Sequence, residues 1–183
     1  MDKLNEIGDF FITSDTWFGR DNILYIADRV GKYNSINEMN KGLIQNWNSK
    51  VGKDDIVFHL GNFAWDPNSA RDALSKLNGK IYFICSNDDV ALVDVIGDFD
   101  NAIILRDQIL ILPDVDIVLS HYPLDVWPGK VSGTIHIHGH TVYSHKTDLF
   151  INKVNACTDF WNYSPFKFST IKEFINETKE NNI

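Results

Sequence analysis

The feature that most constrains this chain is a recurrence of short apolar runs rich in Ile, Val and Phe, separated by stretches with helical spacing. The runs are "DFFIT" from Asp9, "DIVFHL" from Asp55, "KIYFIC" from Lys80, "DIVLS" from Asp116 and "TIHIH" from Thr134. Their length and β-branched content read as strands buried on at least one face. "AIILRDQILIL" reads as a hairpin turning at Arg106-Asp107-Gln108. Between the runs, Ser35 and Glu38 form a capping box, after which Ile36, Met39, Leu43, Ile44, Trp47 and Val51 share one helical face. "PNSARDALSKLNG" reads as a helix from Pro67 with Gly79 beyond its end, and "RDNILYIADRVG" as a shorter one ending at Gly31. "STIKEFINETKE" reads as a last helix with Thr170 and Glu173 at capping spacing. This alternation predicts an α/β domain, with helices in two layers over a mixed sheet. With no repeat, low-complexity tract or linker, one domain over 1-183 is expected.

The chain has 183 residues, 44% of them hydrophobic, enough for a full core. Its net charge of -8 argues against binding along a nucleic-acid backbone, which needs basic patches. A small phosphorylated ligand stays compatible, because a metal can supply positive charge. Cys85 and Cys157 lie in apolar strand-like runs and read as reduced, buried thiols. The N-terminal "MDKLNEIGDF" is charged, and no apolar run approaches the length of a membrane span. A cytoplasmic protein without membrane contact is expected.

The residues just past each strand carry the functional signal. Ser14-Asp15-Thr16-Trp17 come after the first, Gly61-Asn62-Phe63 after the second, Ser86-Asn87-Asp88-Asp89 after the third and His121-Tyr122-Pro123 after the fourth. "IHIHGHTV" ends the fifth: His136 and His138 share a strand face, Gly139 breaks the strand and His140 sits on the loop beyond. Taken singly, each has a structural reading, as a helix cap, an Asx-turn or a satisfied polar group. Together, five strand ends that each deliver amide, carboxylate or imidazole groups point to one crevice at the carboxyl edge of a sheet.

The order and spacing of these motifs resemble the calcineurin-like metallophosphoesterases, in particular the small single-domain type of bacteria and phages. The resemblance runs from "FFITSDTWFG" through "NEMNKGLIQNWNSKVGKDDIVFHLGNFAWD", "LNGKIYFICSNDD", "LSHYPLDVWP" and "IHGHTV" to "NYSPFKFSTI". It implies a four-layer fold, a mixed β-sandwich flanked by helices, with two divalent metals in the strand-end crevice that activate water against a phosphate ester. A host cytoplasm is implied if the chain is phage-encoded.

The motifs that carry the resemblance are degenerate. Asp15 stands in the family's Asp-x-His, but Trp17 replaces the His. The bridging Asp of Gly-Asp is Asn62. In Gly-Asn-His-Asp the metal-binding Asn is Asn87 and the catalytic His is replaced by Asp88. His121 matches the fourth motif. His140 matches the first His of Gly-His-x-His, and Val142 replaces the second. The resemblance therefore implies a vestigial set of ligands, Asp15, Asn62, Asn87, His121 and His140, with Trp17 and Val142 at lost positions. No cofactor is expected, or at most one weakly bound Mn, Zn or Mg, since the neutral ligands compensate an ion poorly. Two functions are compatible with this pattern. One is a pseudoenzyme that binds a protein or a small phosphorylated or nucleotide ligand, with Arg20 as an anion contact. The other is a residual single-metal phosphoesterase acting on phosphomonoesters or phosphodiesters, with Asp88 in place of the catalytic His.

Overall fold

Each apolar run becomes a strand, and the strands fall into two sheets, where periodicity alone suggested one mixed sheet and the resemblance a sandwich. The computed structural model describes residues 8–27, 29–142, 147–148 and 152–180. In the first sheet, β1 (Phe11–Thr13), β2 (Ile56–His59), β3 (Lys80–Phe83) and β4 (Ala102–Ile104) run parallel, and β10 (Phe166–Lys167) lies antiparallel on β1. In the second, the order is β5 (Ile109–Leu112), β6 (Ile117–Ser120), β7 (Ile135–His138), β9 (Lys153–Asn155) and β8 (Thr147–Asp148). There β6, β7 and β9 are parallel, and β5 and β8 close the edges antiparallel.

The alternation of side chains explains the sandwich. Phe10, Ile12, Phe58 and Leu60 point from the first sheet into a core shared with Leu110, Leu119, Ile135 and Ile137 of the second. Their neighbours Phe11, Val57, Ile81 and Phe83 point the other way, under α2 (Ile36–Asn48) and α3 (Pro67–Leu74). Met39, Leu43 and Trp47 are the buried stripe of α2. Ser35 Oγ accepts from Glu38 N at 3.2 Å, while the Glu38 carboxylate takes Asn34 N at 2.9 Å, so the capping box closes one residue early. Asp66 caps α3 through Asn68 N and Ser69 N, and Pro67 occupies its first turn. The short α4 (Val90–Val93) comes after β3. No helix among the described residues is long and apolar enough to cross a membrane.

Three local expectations are corrected. "AIILRDQILIL" is not a hairpin: β4 joins β3 in the first sheet and β5 joins β6 in the second, so the chain changes sheets between them. The "RDNILYIADRVG" helix is split into α1 (Ile23–Ile26) and a 3-10 turn at Arg29–Gly31, where Arg29 turns fully into the interior. The last helix, α5 (Phe168–Glu180), begins before Thr170. Its cap comes from the far end of the chain, where the Asp9 carboxylate accepts from Ser169 N at 3.0 Å and Ser169 Oγ at 2.7 Å. Of the two free cysteines, Cys157 is buried and Cys85 half-buried.

Three histidines are structural and held neutral. His59 Nε2 lies 3.0 Å from Thr16 Oγ1, whose own proton goes to Phe63 O, so Nε2 carries the hydrogen. His136 Nε2 accepts from Leu124 N at 3.0 Å, which places its proton on Nδ1 toward Val118 O. His138 Nδ1 donates to Gly139 O at 2.8 Å. Burial is the largest cause in each case, and it pushes all three rings down to about 4. The unfolded chain protonates them near pH 6.5, so their stabilisation is complete above that pH and is lost as pH falls toward 4, by up to about 3 kcal/mol per ring. Urea unfolding should show the midpoint falling between pH 7 and pH 4.5 with the denaturant slope unchanged, and His136→Gln should flatten that fall. A midpoint independent of pH over this window would contradict it.

Candidate functional site

The carboxyl ends of β1, β2, β7 and β9 meet around one buried carboxylate. Asp15 is fully buried, and its side chain is saturated with donors from four segments of the chain. Oδ1 accepts from Asn62 Nδ2 at 2.8 Å. Oδ2 accepts from Ser14 Oγ, from His140 N at 2.9 Å and from Cys157 Sγ at 3.0 Å. A buried carboxylate without such partners would cost several kcal/mol, on the order of the desolvation of an unpaired charge. Burial first, then the Asp15 carboxylate, pushes the Cys157 thiol well above its ordinary range, so it stays a protonated donor.

Asn62 extends the network toward β3. With its amide nitrogen fixed by Asp15, its Oδ1 faces Ser86 Oγ at 2.7 Å. Ser86 Oγ also lies 2.8 Å from Asp89 Oδ2, so its single proton is shared between the amide and the carboxylate. Asp89 is buried and additionally accepts from Asn62 N at 2.9 Å, Phe63 N at 2.7 Å and Ser86 N at 2.7 Å. The result is a continuous chain, Asp15–Asn62–Ser86–Asp89, across the first sheet.

The loops reach this network through strained backbone. Asp15, Trp17, Asn62 and His140 have φ of 58°, 54°, 58° and 69°. Asp and Asn tolerate the left-handed region, but for Trp it is an outlier that its surroundings must impose. Trp17 N donates to Asn62 O at 3.0 Å, and the next residue continues the bridge to Phe63 O at 2.9 Å. Glycine permits the closest approaches. A Cβ on Gly139 would lie 2.0 Å from Ser14 Oγ, and one on Gly61 2.6 Å from His121 Nδ1.

The imidazoles sit at the edge of the network. His121 is buried, and its Nδ1 donates to Leu60 O at 2.6 Å, which leaves Nε2 as the nitrogen without a partner among the described residues. Its ring meets Tyr122 at 4.6 Å and the exposed His140 at 5.2 Å, and Tyr122 meets His140 at 4.8 Å, all edge to face. Asp15, Asn62, His121 and His140 are thus brought together. Asn87 and Asp88 are exposed, and the Asp88 amide donates to Ser86 Oγ at 3.1 Å. Trp17 is buried against Arg20 and Trp65, and Val142 is half-buried in the turn after β7. Among the described residues, no group of three or more His, Cys, Asp or Glu side chains is placed to hold a metal ion.

Comparison with known proteins gives a relative over nearly the whole chain. It is 31% identical over 177 residues to the uncharacterized protein MJ1445 of Methanocaldococcus jannaschii, covering 92% of each. The chain belongs to the MJ1445 family. No protein-family model matches it. The crystal structure of AQ665 from Aquifex aeolicus, a protein of unknown function, shares the fold at a TM-score of 0.67 and 23% identity, over 91% of this chain and 98% of that one. An archaeal phosphodiesterase structure aligns at a TM-score of 0.46 and 19% identity, over 82% of each chain.

Several residues that hold the site of this MJ1445-family protein give no signal in the sequence. Arg29 is fully buried; its Nε and Nη2 grip Asp159 at 2.8 and 2.7 Å. Nη2 also reaches Asp15 O at 2.7 Å, and Nη1 reaches Thr16 O at 3.0 Å, so one guanidinium holds the carbonyls of the strained loop. Asn155 ties the loop after β7 to Cys157, donating to Thr141 O at 2.7 Å and accepting from Cys157 N at 3.0 Å. Only Asp89, adjacent to a helix start, carried a local cue, as an acidic residue in capping position.

The network makes Asn62 sensitive to charge. Asn62→Asp sets a second carboxylate within hydrogen-bond distance of buried Asp15, and should destabilise the protein at pH 7 by about 3 kcal/mol or more. Asn62→Ala, which removes the bonds without adding charge, should cost about 2 kcal/mol. Chemical denaturation of both variants at pH 7 measures this, and equal stability of Asn62→Asp and the unmutated protein would contradict it.

Proposed function

We propose that this chain carries a calcineurin-like metallophosphoesterase fold, a four-layer β-sandwich flanked by helices, whose hydrolytic centre has been converted into a metal-independent binding crevice. The observation that carries the reading is the direct bond from Asn62 Nδ2 to Asp15 Oδ1. At the position where the resemblance calls for a carboxylate bridging two ions, an amide donates a proton to the neighbouring acid. It can do so only because it is neutral and has an N–H.

The donor set does not fit two divalent ions. Asp15 has both oxygens occupied by donors, and Asn62 has both ends of its amide engaged. Trp17 supplies a buried indole where an imidazole would be required, and Val142 has no ligand atom. His121 and His140 keep nitrogens suited to a metal, but two neutral imidazoles leave an ion's charge uncompensated. The exposed Asp88 makes no side-chain bond among the described residues that would aim it as an acid or base. What remains at the crevice is a rim of His121, Tyr122 and His140 around the hydrogen-bonded core. Such a rim suits recognition of a small phosphorylated ligand.

Hydrolysis in this fold needs several groups at once, so repairing one leaves the others limiting. With a generic aryl phosphodiester and Mn, the unmutated protein, Trp17→His alone and Val142→His alone should show no turnover. Trp17→His, Asn62→Asp, Asp88→His and Val142→His combined should bind Mn and turn the substrate over slowly. Turnover by the unmutated protein that disappears in Asp88→Ala would establish the single-metal enzyme instead.

A further inference from the structure

The surface beside the crevice holds a cation that no carboxylate pairs with among the described residues. The guanidinium of Arg20 lies 3.9 Å from the ring centroid of buried Trp17 and 4.8 Å from that of Trp65. The two indoles are 6.3 Å apart and tilted by 50°, so the cation is wedged between them. Arg20 Nε donates to Asn22 Oδ1 at 2.9 Å, which fixes the rotation of the fork. Both Nη groups are then left without an acceptor among the described residues, and no carboxylate pairs with Arg20 there. Asp66, next to Trp65 in sequence, turns its oxygens to Asn68 N, Ser69 N and Ser69 Oγ at the start of α3 and forms no ion pair with Arg20.

An ordinary surface arginine is mobile and solvated, and it finds acids easily in a chain of net charge -8. This one is held in place by three side chains with its donor edge open. Fixed fork geometry with free N–H groups is what a bidentate oxyanion needs. The position is also tied to the site, because Trp17 N bonds to Asn62 O and Arg20 N to Trp17 O. Beside the cation, Trp65 leaves 55% of its surface open. An indole next to an oriented guanidinium matches a ligand whose phosphate is attached to a group bearing a flat ring.

We propose that Arg20, held between Trp17 and Trp65, binds the phosphate of a nucleoside monophosphate-like ligand, with the base stacked on the exposed indole of Trp65. The proposal deepens the metal-independent reading above, since Arg20 supplies the positive charge. Binding of AMP, inorganic phosphate, adenosine and acetate would be followed at constant ionic strength by calorimetry and tryptophan fluorescence, with EDTA present. AMP should bind saturably and quench the fluorescence, phosphate should bind about tenfold more weakly, and acetate and adenosine more weakly still. Arg20→Lys, which keeps the charge but loses the fork, should weaken AMP binding about tenfold, and Arg20→Ala should abolish it. Trp65→Ala should erase the advantage of AMP over phosphate while phosphate still binds. No saturable binding of AMP to the unmutated protein, or equal binding by Arg20→Lys and Arg20→Ala variants whose circular dichroism is unchanged, would overturn the proposal. If AMP binds as expected but is hydrolysed when Mn replaces EDTA, the Arg20 site stands and the pseudoenzyme reading fails.

Discussion

The buried carboxylate of Asp15 is the point on which the two sheets and the site loops depend. It collects donors from Ser14 and Asn62 on the first sheet, and from His140 and Cys157 beyond the ends of β7 and β9 in the second. A carboxylate in such a place is tolerated only while donors surround both its oxygens, and each donor is thereby held to a fixed position. The loops at the carboxyl ends are therefore not free to vary independently. Moving one leaves a buried anion short of a partner.

The backbone is shaped to serve that charge. Asp15 and Trp17 both sit at positive φ, one residue apart, and the carbonyls of Asp15 and Thr16 turn toward the Arg29 guanidinium. Arg29 is in turn paired with Asp159 in a fork of two bonds. A fully buried arginine is justified by this division of its donors, which satisfies an acid and two carbonyls together. The strained loop is thus fixed from below by a cation and from above by its own acid. Gly139 and Gly61 allow the neighbouring loops to pack against it without a side chain intervening.

The sequence made the strands, α2, α3 and the clustering of polar residues at strand ends legible, because periodicity and caps are local. The partition into two sheets was implied by the resemblance and not by periodicity, since β4 and β5 are adjacent in sequence and chose different long-range partners. The start of α5 was misplaced for the same reason: its cap, Asp9, lies 160 residues away. At the site, Asp15, Asn62, His121 and His140 stood out by motif position. Asp88 and Asp89 could not be told apart by type, and only the fold shows Asp89 turned inward onto four donors while Asp88 is exposed. Arg29 and Cys157 carried no motif at all; their roles arise from packing.

On the proposed reading, the Asn62 amide that stands where a bridging carboxylate would be expected also sets what the crevice can recognise. On that reading the ligand's charge is met by Arg20 at the rim, and affinity should not depend on a divalent ion. The most direct test of this is a crystal equilibrated with excess Mn and measured at its absorption edge. The expected result is no anomalous peak within bonding distance of Asp15, with Asn62 Nδ2 still 2.8 Å from Asp15 Oδ1. Two anomalous peaks flanking residue 62, with its amide turned away from Asp15, would contradict it.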